Sequence, residues 1–217
     1  MSTPESFAKN NSGITPSSFS AIEWMNDIEL LVPLYQRLFV WEDEQINQLL
    51  EDLEQAYHTQ TPYYIGTLTV YRHPNEASTW ELVDGQQRLT VLTLFGACSQ
   101  NSVKGSLWKT FLVKPNGTDS RLRYFARQQD EEDLKMIIKE GAIAHKIANT
   151  NMKRFIETFD RFMARPRDGQ RCQMNESDFS KFVYEKTTAL VAFLPDSYKL
   201  NDLNLYFEKM NGGGETT

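Results

Sequence analysis

The stretch that decides the fold is Trp80-Glu81-Leu82-Val83-Asp84-Gly85-Gln86-Gln87-Arg88, followed by Leu89-Thr90-Val91-Leu92-Thr93-Leu94-Phe95-Gly96-Ala97-Cys98. Residues 80–84 have the aromatic and branched composition of a half-buried strand. Residues 89–98 are apolar nearly all round and long enough to predict a buried helix. The polar run from Asp84 to Arg88 therefore joins a strand to a helix N-terminus. There the first N–H groups lack intrahelical acceptors and the dipole is positive, so an anion is stabilised. Gly85 lets backbone approach a phosphate, Arg88 offers a planar fork of donors, and Asp84 is placed to orient a metal-bound water or a substrate hydroxyl. The competing reading is a turn in which Asp84 caps the helix, Gly85 takes a positive φ and Arg88 pairs with an acid. Taken alone, the turn favours that second reading.

Working upstream, residues 63–71 form a second β-branched and aromatic run, and the His73–Ser78 segment between the runs has the Pro and Asn of a connecting loop, so a hairpin is expected. Ile46, Leu49, Leu50, Leu53 and Tyr57 recur at helical spacing between Glu42 and Tyr57, with acids elsewhere, which predicts an amphipathic helix with Asp43 as N-cap. Before it, residues 33–41 gather Tyr35, Gln36, Arg37 and Trp41, planar donors and aromatic faces suited to bases and phosphates. The structural alternative is an edge strand with Trp41 in the core. Residues 1–18 are Ser, Thr, Pro and Asn rich and read as a disordered arm. Folded structure is expected from about Ala21.

Downstream, residues 99–120 read as loop, with Gly105, Pro115 and Gly117 as breakers. A mainly helical half follows: residues 130–138, then 151–163 with Met152, Phe155, Ile156, Phe159, Phe162 and Met163 on a core face, then 179–184. Residues 165–171 form a basic turn-rich loop, 188–194 a strand, and 202–211 a last helix stopped by three glycines. This gives a core over 20–100 and a helical half over 119–211, within one domain spanning 19–217.

The 217 residues carry 23 Lys plus Arg against 29 Asp plus Glu, a net charge of −6, which excludes a general basic coat and confines any nucleic-acid contact to a local patch. With 40% hydrophobic and 12% aromatic residues, the composition is that of a globular chain. Cys98 and Cys172 are far apart and lack CxxC spacing, so no disulfide framework or zinc knuckle is signalled and a reducing cytoplasm fits. Neither a signal peptide nor an 18-residue apolar stretch is present, so no membrane association is expected.

The order of motifs is Pro33-Leu34-Tyr35-Gln36-Arg37, Trp41, Tyr64-Ile65-Gly66, Leu82 to Thr90, and Leu205-Tyr206-Phe207-Glu208-Lys209-Met210-Asn211. Over about residues 20–214 it resembles the N-terminal domain of GmrSD-type, modification-dependent restriction enzymes, of the ParB and sulfiredoxin-like superfamily. The resemblance implies an α+β fold with a small mixed sheet and a mainly helical C-terminal half. It implies a domain coupling NTP binding or hydrolysis, with Mg²⁺, to restriction of foreign, often modified, duplex DNA. In such proteins a separate HisAsnHis-type nuclease domain usually cuts. His58, His73 and His145 are scattered and form no such motif, so no autonomous DNA cleavage is expected and a separate nuclease subunit or domain is implied.

By this resemblance Asp84, Gly85, Gln86, Gln87 and Arg88 bind or orient the triphosphate, and Tyr35, Gln36 and Arg37 line the same pocket. Arg121, Leu122, Arg123 and Tyr124 resemble a weaker middle motif, with Arg127 beside it. In the closing motif Tyr206, Phe207, Glu208 and Asn211 agree, while Gly213 stands where Arg is expected, and Gly supplies no charge to a transition state. Asp84, Arg88 and Glu208 are the candidate catalytic residues, Asp84 or Glu208 positioning Mg²⁺ or water, and the general base is not assigned. The rival reading is a non-hydrolysing nucleotide sensor or DNA-binding module. Its DNA surface would be the basic group of Lys153, Arg154, Arg161, Arg165, Arg167 and Arg171, whose plainer meaning is a solvated helix face and loop. A third reading is an inactive fragment.

Overall fold

The computed structural model describes residues 15–18, 29–76, 78–100, 107–114, 117, 119–141, 144–165, 174–197, 201, 202 and 205. In chain order its elements are β1 (Thr15–Ser18), β2 (Glu29–Val32), α1 (Asp43–Thr59), β3 (Tyr63–Arg72), β4 (Thr79–Asp84), α2 (Gln86–Ser99) and the single turn α3 (Lys109–Leu112). Then follow β5 (Leu122–Tyr124), α4 (Gln128–Glu140), a 3₁₀ turn (Ala144–Lys146), α5 (Thr150–Ala164), α6 (Glu176–Lys186) and β6 (Thr187–Phe193). The strands make one mixed sheet in the order β1-β6-β3-β4-β2-β5. The fold is α+β, with its later half mainly helical.

The expected hairpin is the centre of this sheet. β3 and β4 pair antiparallel, Val70 opposite Leu82 and Arg72 opposite Trp80. On one side β6 lies parallel to β3, and on the other β2 lies parallel to β4 and to β5. All four residues of β2 are buried, as a strand between two parallel neighbours requires. β3 carries two register irregularities, between Tyr64 and Gly66 against β6 and between Thr69 and Val70 against β4. Such extra residues bend and re-aim a strand, and both occur beside the strand–turn–helix segment.

Every residue of α2 except Arg88 is buried, which is why its sequence shows no polar stripe. The helix is the hub of the helical layer. Phe95 meets Phe159 of α5 and Phe179 of α6 edge-on, at centroid distances of 5.4 and 5.8 Å, and tilts against Trp108 at 5.8 Å. Edge-to-face contacts of this kind set aromatic quadrupoles favourably and fill the core without voids. α1 packs on α5 and α6, and α6 runs directly into β6 at Thr187.

Four expectations are corrected. Residues 15–18 of the expected arm form β1, paired antiparallel with β6 from Thr15 opposite Val191 to Ser18 opposite Thr188; main-chain ladder bonds do not need apolar side chains. The N-cap of α1 is Glu42, with extended backbone and its N–H donating to Gln45 Oε1 at 2.8 Å, while Asp43 instead accepts from the Thr158 hydroxyl at 2.9 Å. Within the expected loop of 99–120, residues 109–112 are helical and Trp108 is a core residue at 2% exposure. Residues 33–42 are irregular rather than an edge strand, although Trp41 does pack against the core.

Among the described residues no helix is long and apolar enough to cross a membrane. Cys98 is buried, and burial pushes its thiol far above the ordinary range. Residues 1–14, Cys172 and the closing motif from Tyr206 to Asn211 lie outside the described residues.

Candidate functional site

β4 ends at Asp84, the chain turns at Gly85 with φ +90°, and α2 begins at Gln86. The turn is as tight as its composition suggests. A Cβ on Gly85 would stand 2.4 Å from Leu68 Cδ2 and 3.0 Å from the Thr67 carbonyl oxygen, so the turn lies flat on β3. No side chain caps the N-terminus of α2 and no acid stands in its first turn. Its positive end therefore keeps its capacity for an external anion. The expected cap by Asp84 is not formed; Asp84 pairs with Arg88, Oδ2 to Nη2 at 3.0 Å.

Gln36, Arg37, Trp41, Asp84, Gly85, Gln86, Gln87 and Arg88 together line a cleft of about 270 Å³. The first and central motifs, some fifty residues apart, thus meet at one place. Their side chains nevertheless divide into two roles. Gln36, 5% exposed, donates from Nε2 to the Val83 carbonyl at 2.6 Å and to that of Leu82 at 3.3 Å. Gln87 donates to the Leu38 carbonyl at 2.6 Å and to Gln86 Oε1 at 2.7 Å, and accepts from the Val40 amide at 3.0 Å. These amides are spent holding residues 36–40 against the turn. Arg127 adds bonds to the carbonyls of Leu34, Gln36 and Arg37, and Asn151 one to that of Phe39 at 2.7 Å. Asp84, Arg88 and the exposed Arg37 remain as the charged walls.

Gly66 has a part that its motif did not reveal. It sits at φ +112° beside the β3 irregularity, and a Cβ there would fall 2.2 Å from Arg88 Nη1 and 3.3 Å from its Cζ. The Arg88 guanidinium therefore lies against bare backbone, with Asp84 on its other side. Gly66→Ala should push Arg88 out of this seat; the displaced atoms are the end of a flexible side chain and add little, so the main stability cost is about 1–2 kcal/mol for a side chain at positive φ. Any phosphate affinity carried by Arg88 should fall roughly tenfold, about one charge-assisted hydrogen bond, while the unfolding midpoint falls by only a few degrees; a titration beside a thermal melt reads both.

Other expected residues lie elsewhere. Tyr35 is not among the described walls, and burial pushes its hydroxyl well above the ordinary range. In the middle motif Arg121 donates to the carbonyls of Thr110 and Val113, Arg123 pairs with the buried Glu29, and Tyr124 shares a 3.0 Å bond with the Thr90 hydroxyl. These contacts dock β5 and residues 110–113. Of the basic group, Arg161 meets Asp43 at 3.3 Å, and Arg165 meets Glu51 and Glu54 and lies over the Phe162 ring at 4.1 Å. Their charge is turned toward the acidic face of α1. Arg167, Arg171, Glu208, Asn211 and Gly213 lie outside the described residues. Among the described residues no three His, Cys, Asp or Glu side chains converge as a metal cluster.

The mixed sheet, with an uncapped buried helix rising from a glycine turn flanked by two arginines, defines an α+β domain. Residues 21–217 match the family model of the GmrSD restriction endonuclease, N-terminal domain. The chain belongs to that family, and so to a GmrSD-type restriction system. No curated protein matches it.

Proposed function

We propose that the domain binds a nucleoside triphosphate with its phosphates in the cleft at Gly85–Arg88, and that it serves the restriction system as an NTP-hydrolysing module. The observation that carries this reading is the convergence of the uncapped α2 N-terminus, Arg37 and Arg88 on one cleft. Backbone N–H groups and two guanidinium forks suit phosphate oxygens, and an arginine can bind them bidentately. Asp84 supplies the one carboxylate among the described walls, enough for Mg²⁺, which takes one or two carboxylates plus phosphate oxygens and keeps its waters. The ion would neutralise phosphate charge. Glu208, at the closing motif, is the second carboxylate proposed for that role. Arg88 then exchanges its partner: it leaves Asp84 for phosphate, and Asp84 becomes available to the metal.

A second reading is a sensor that binds NTP and passes the signal to a nuclease without turnover. It is favoured by the pairing of Asp84 with Arg88, which occupies the carboxylate proposed to position Mg²⁺ or water, and by Gly213 in place of the expected Arg. Duplex DNA remains the proposed substrate of the system. Because Arg161 and Arg165 are engaged with α1, the proposed DNA surface rests on the rest of the basic group, Lys153, Arg154, Arg167 and Arg171.

The test is calorimetric titration with each NTP, with and without Mg²⁺, and phosphate release measured in the same samples. Arg88→Ala should weaken binding by roughly ten- to a hundredfold, the loss of about 1.5–3 kcal/mol expected for hydrogen bonds to a charged group. Undiminished binding in Arg88→Ala would remove the phosphate role. Binding without release selects the sensor.

A further inference from the structure

At about 270 Å³ the cleft at the turn lies just below the roughly 300–1,000 Å³ in which drug-sized ligands are generally held. A second cleft of about 550 Å³ lies beside it, and Trp41 and Arg88 are walls of both. The rest of its lining differs in chemistry: Glu44, Gln48 and Asp52 along one face of α1, with Tyr63 and Ile65 of β3. Spaced at i, i+4 and i+8, the three α1 side chains stand one above another. Two carboxylates there repel a phosphate chain. They accept hydrogen bonds well from sugar hydroxyls and from ring or exocyclic N–H groups.

The Asp52 carboxylate is held in place. Gln48 donates to its Oδ1 at 2.8 Å, and Tyr63 lines the same cleft from β3. Burial and the neighbouring Asp52 both raise the Tyr63 pKa, so the phenol keeps its proton and remains a donor. At the junction of the clefts, Trp41 packs one end against Phe39, at a centroid distance of 6.4 Å, and stays partly accessible. A partly open aromatic ring between a cationic cleft and an acceptor-lined one fits a ligand with a charged end and a planar, donor-bearing end.

We infer that the cleft between α1 and β3 is the nucleoside subsite: the base lies by Trp41, and Asp52, held by Gln48 and facing the same cleft as Tyr63, accepts hydrogen bonds from the sugar or base. This inference rests on the phosphate reading of the turn. It fixes the direction of the bound ligand, triphosphate toward Arg37 and α2, nucleoside toward α1.

The experiment compares inorganic tripolyphosphate with the four ribonucleoside triphosphates, all with Mg²⁺, by calorimetry on the full chain. At least one NTP should bind roughly tenfold or more tightly than tripolyphosphate. In Asp52→Asn and in Gln48→Ala the ratio of the two affinities should fall several-fold. Both positions are on the outer face of α1, and because the readout is a ratio within one preparation, a partly unfolded fraction cancels. Equal affinity of wild type for tripolyphosphate and every NTP overturns the nucleoside subsite while leaving the phosphate site standing. A tighter NTP whose ratio is unmoved in both variants places the nucleoside elsewhere and overturns it too. Binding of neither probe defeats the phosphate reading itself, and the subsite with it.

Discussion

Gly85→Ala is expected to lower the stability of the folded domain by about 2–5 kcal/mol. Two costs add: about 1–2 kcal/mol for a side chain in left-handed backbone and about 1–3 kcal/mol for inserting a methyl where there is no room. The first follows from φ +90°. The second follows from a Cβ placed 2.4 Å from Leu68 Cδ2 and 3.0 Å from the Thr67 oxygen, where the nearer atom can move and the backbone oxygen cannot. Lifting the turn off β3 also tilts the start of α2, so phosphate binding at the turn should be lost along with the stability. Gly117→Ala is the matched control. Its φ is +74°, but nothing lies within 4 Å of the added Cβ, so only the conformational cost applies. Thermal unfolding should place Gly85→Ala roughly 5–15 °C below wild type and Gly117→Ala only slightly below. Equal midpoints for the two variants would show that the turn is not packed as described.

Trp108→Ala should cost about 3–5 kcal/mol, the range for truncating a large buried aromatic. Its ring meets Tyr184 at 5.1 Å, Phe111 at 5.7 Å and Phe95 at 5.8 Å, joining α3 to α2 and α6. The cavity would open at the centre of the helical layer. The indole N–H also donates to Ser180 Oγ at 2.9 Å, and that serine is 1% exposed, so truncation leaves a buried hydroxyl without its donor. Trp108→Phe removes the hydrogen bond and only part of the volume, so its loss should be about half or less of the alanine value. Denaturant unfolding of the two variants separates packing from hydrogen bonding. A loss under about 1 kcal/mol in Trp108→Ala would contradict the burial of this ring.

The residues around Trp108 show where sequence reading stops. Between Ser99 and Ser120 the breakers Gly105, Pro115 and Gly117 suggest a loop, and one helical turn is too short to leave a periodic signal. Gly96 gives no hint either: in a helix it reads as a weak point, yet a Cβ there would strike the Trp108 ring at 2.4 Å. The glycine exists to admit a ring twelve residues further along, and only the packed structure shows it.

At the candidate site the partition is similar. The Asp84–Arg88 turn, its place between strand and helix, and the positive φ of Gly85 were legible, because each depends on residues within one or two turns of chain. The company of Gln36 and Arg37 in the same cleft was implied by the family resemblance. Their division of labour was not. A glutamine within an anion-binding turn looks like a ligand donor, but Gln36 and Gln87 bond main chain 46 to 49 residues away. Likewise Arg161 and Arg165 look like a basic surface until α5 is laid beside the acidic face of α1.

The sequence by itself determined the hairpin, the amphipathic α1, the buried α2 and the helical later half, since side-chain periodicity and turn chemistry act over a few residues. Tertiary structure decided the strand order β1-β6-β3-β4-β2-β5, the seat of Arg88 on Gly66 and the second cleft between α1 and β3. The physical reason is range. Strand order, close approach and cavity shape depend on which distant surfaces are buried together, and that choice is made by the sum of the packing rather than by any one segment.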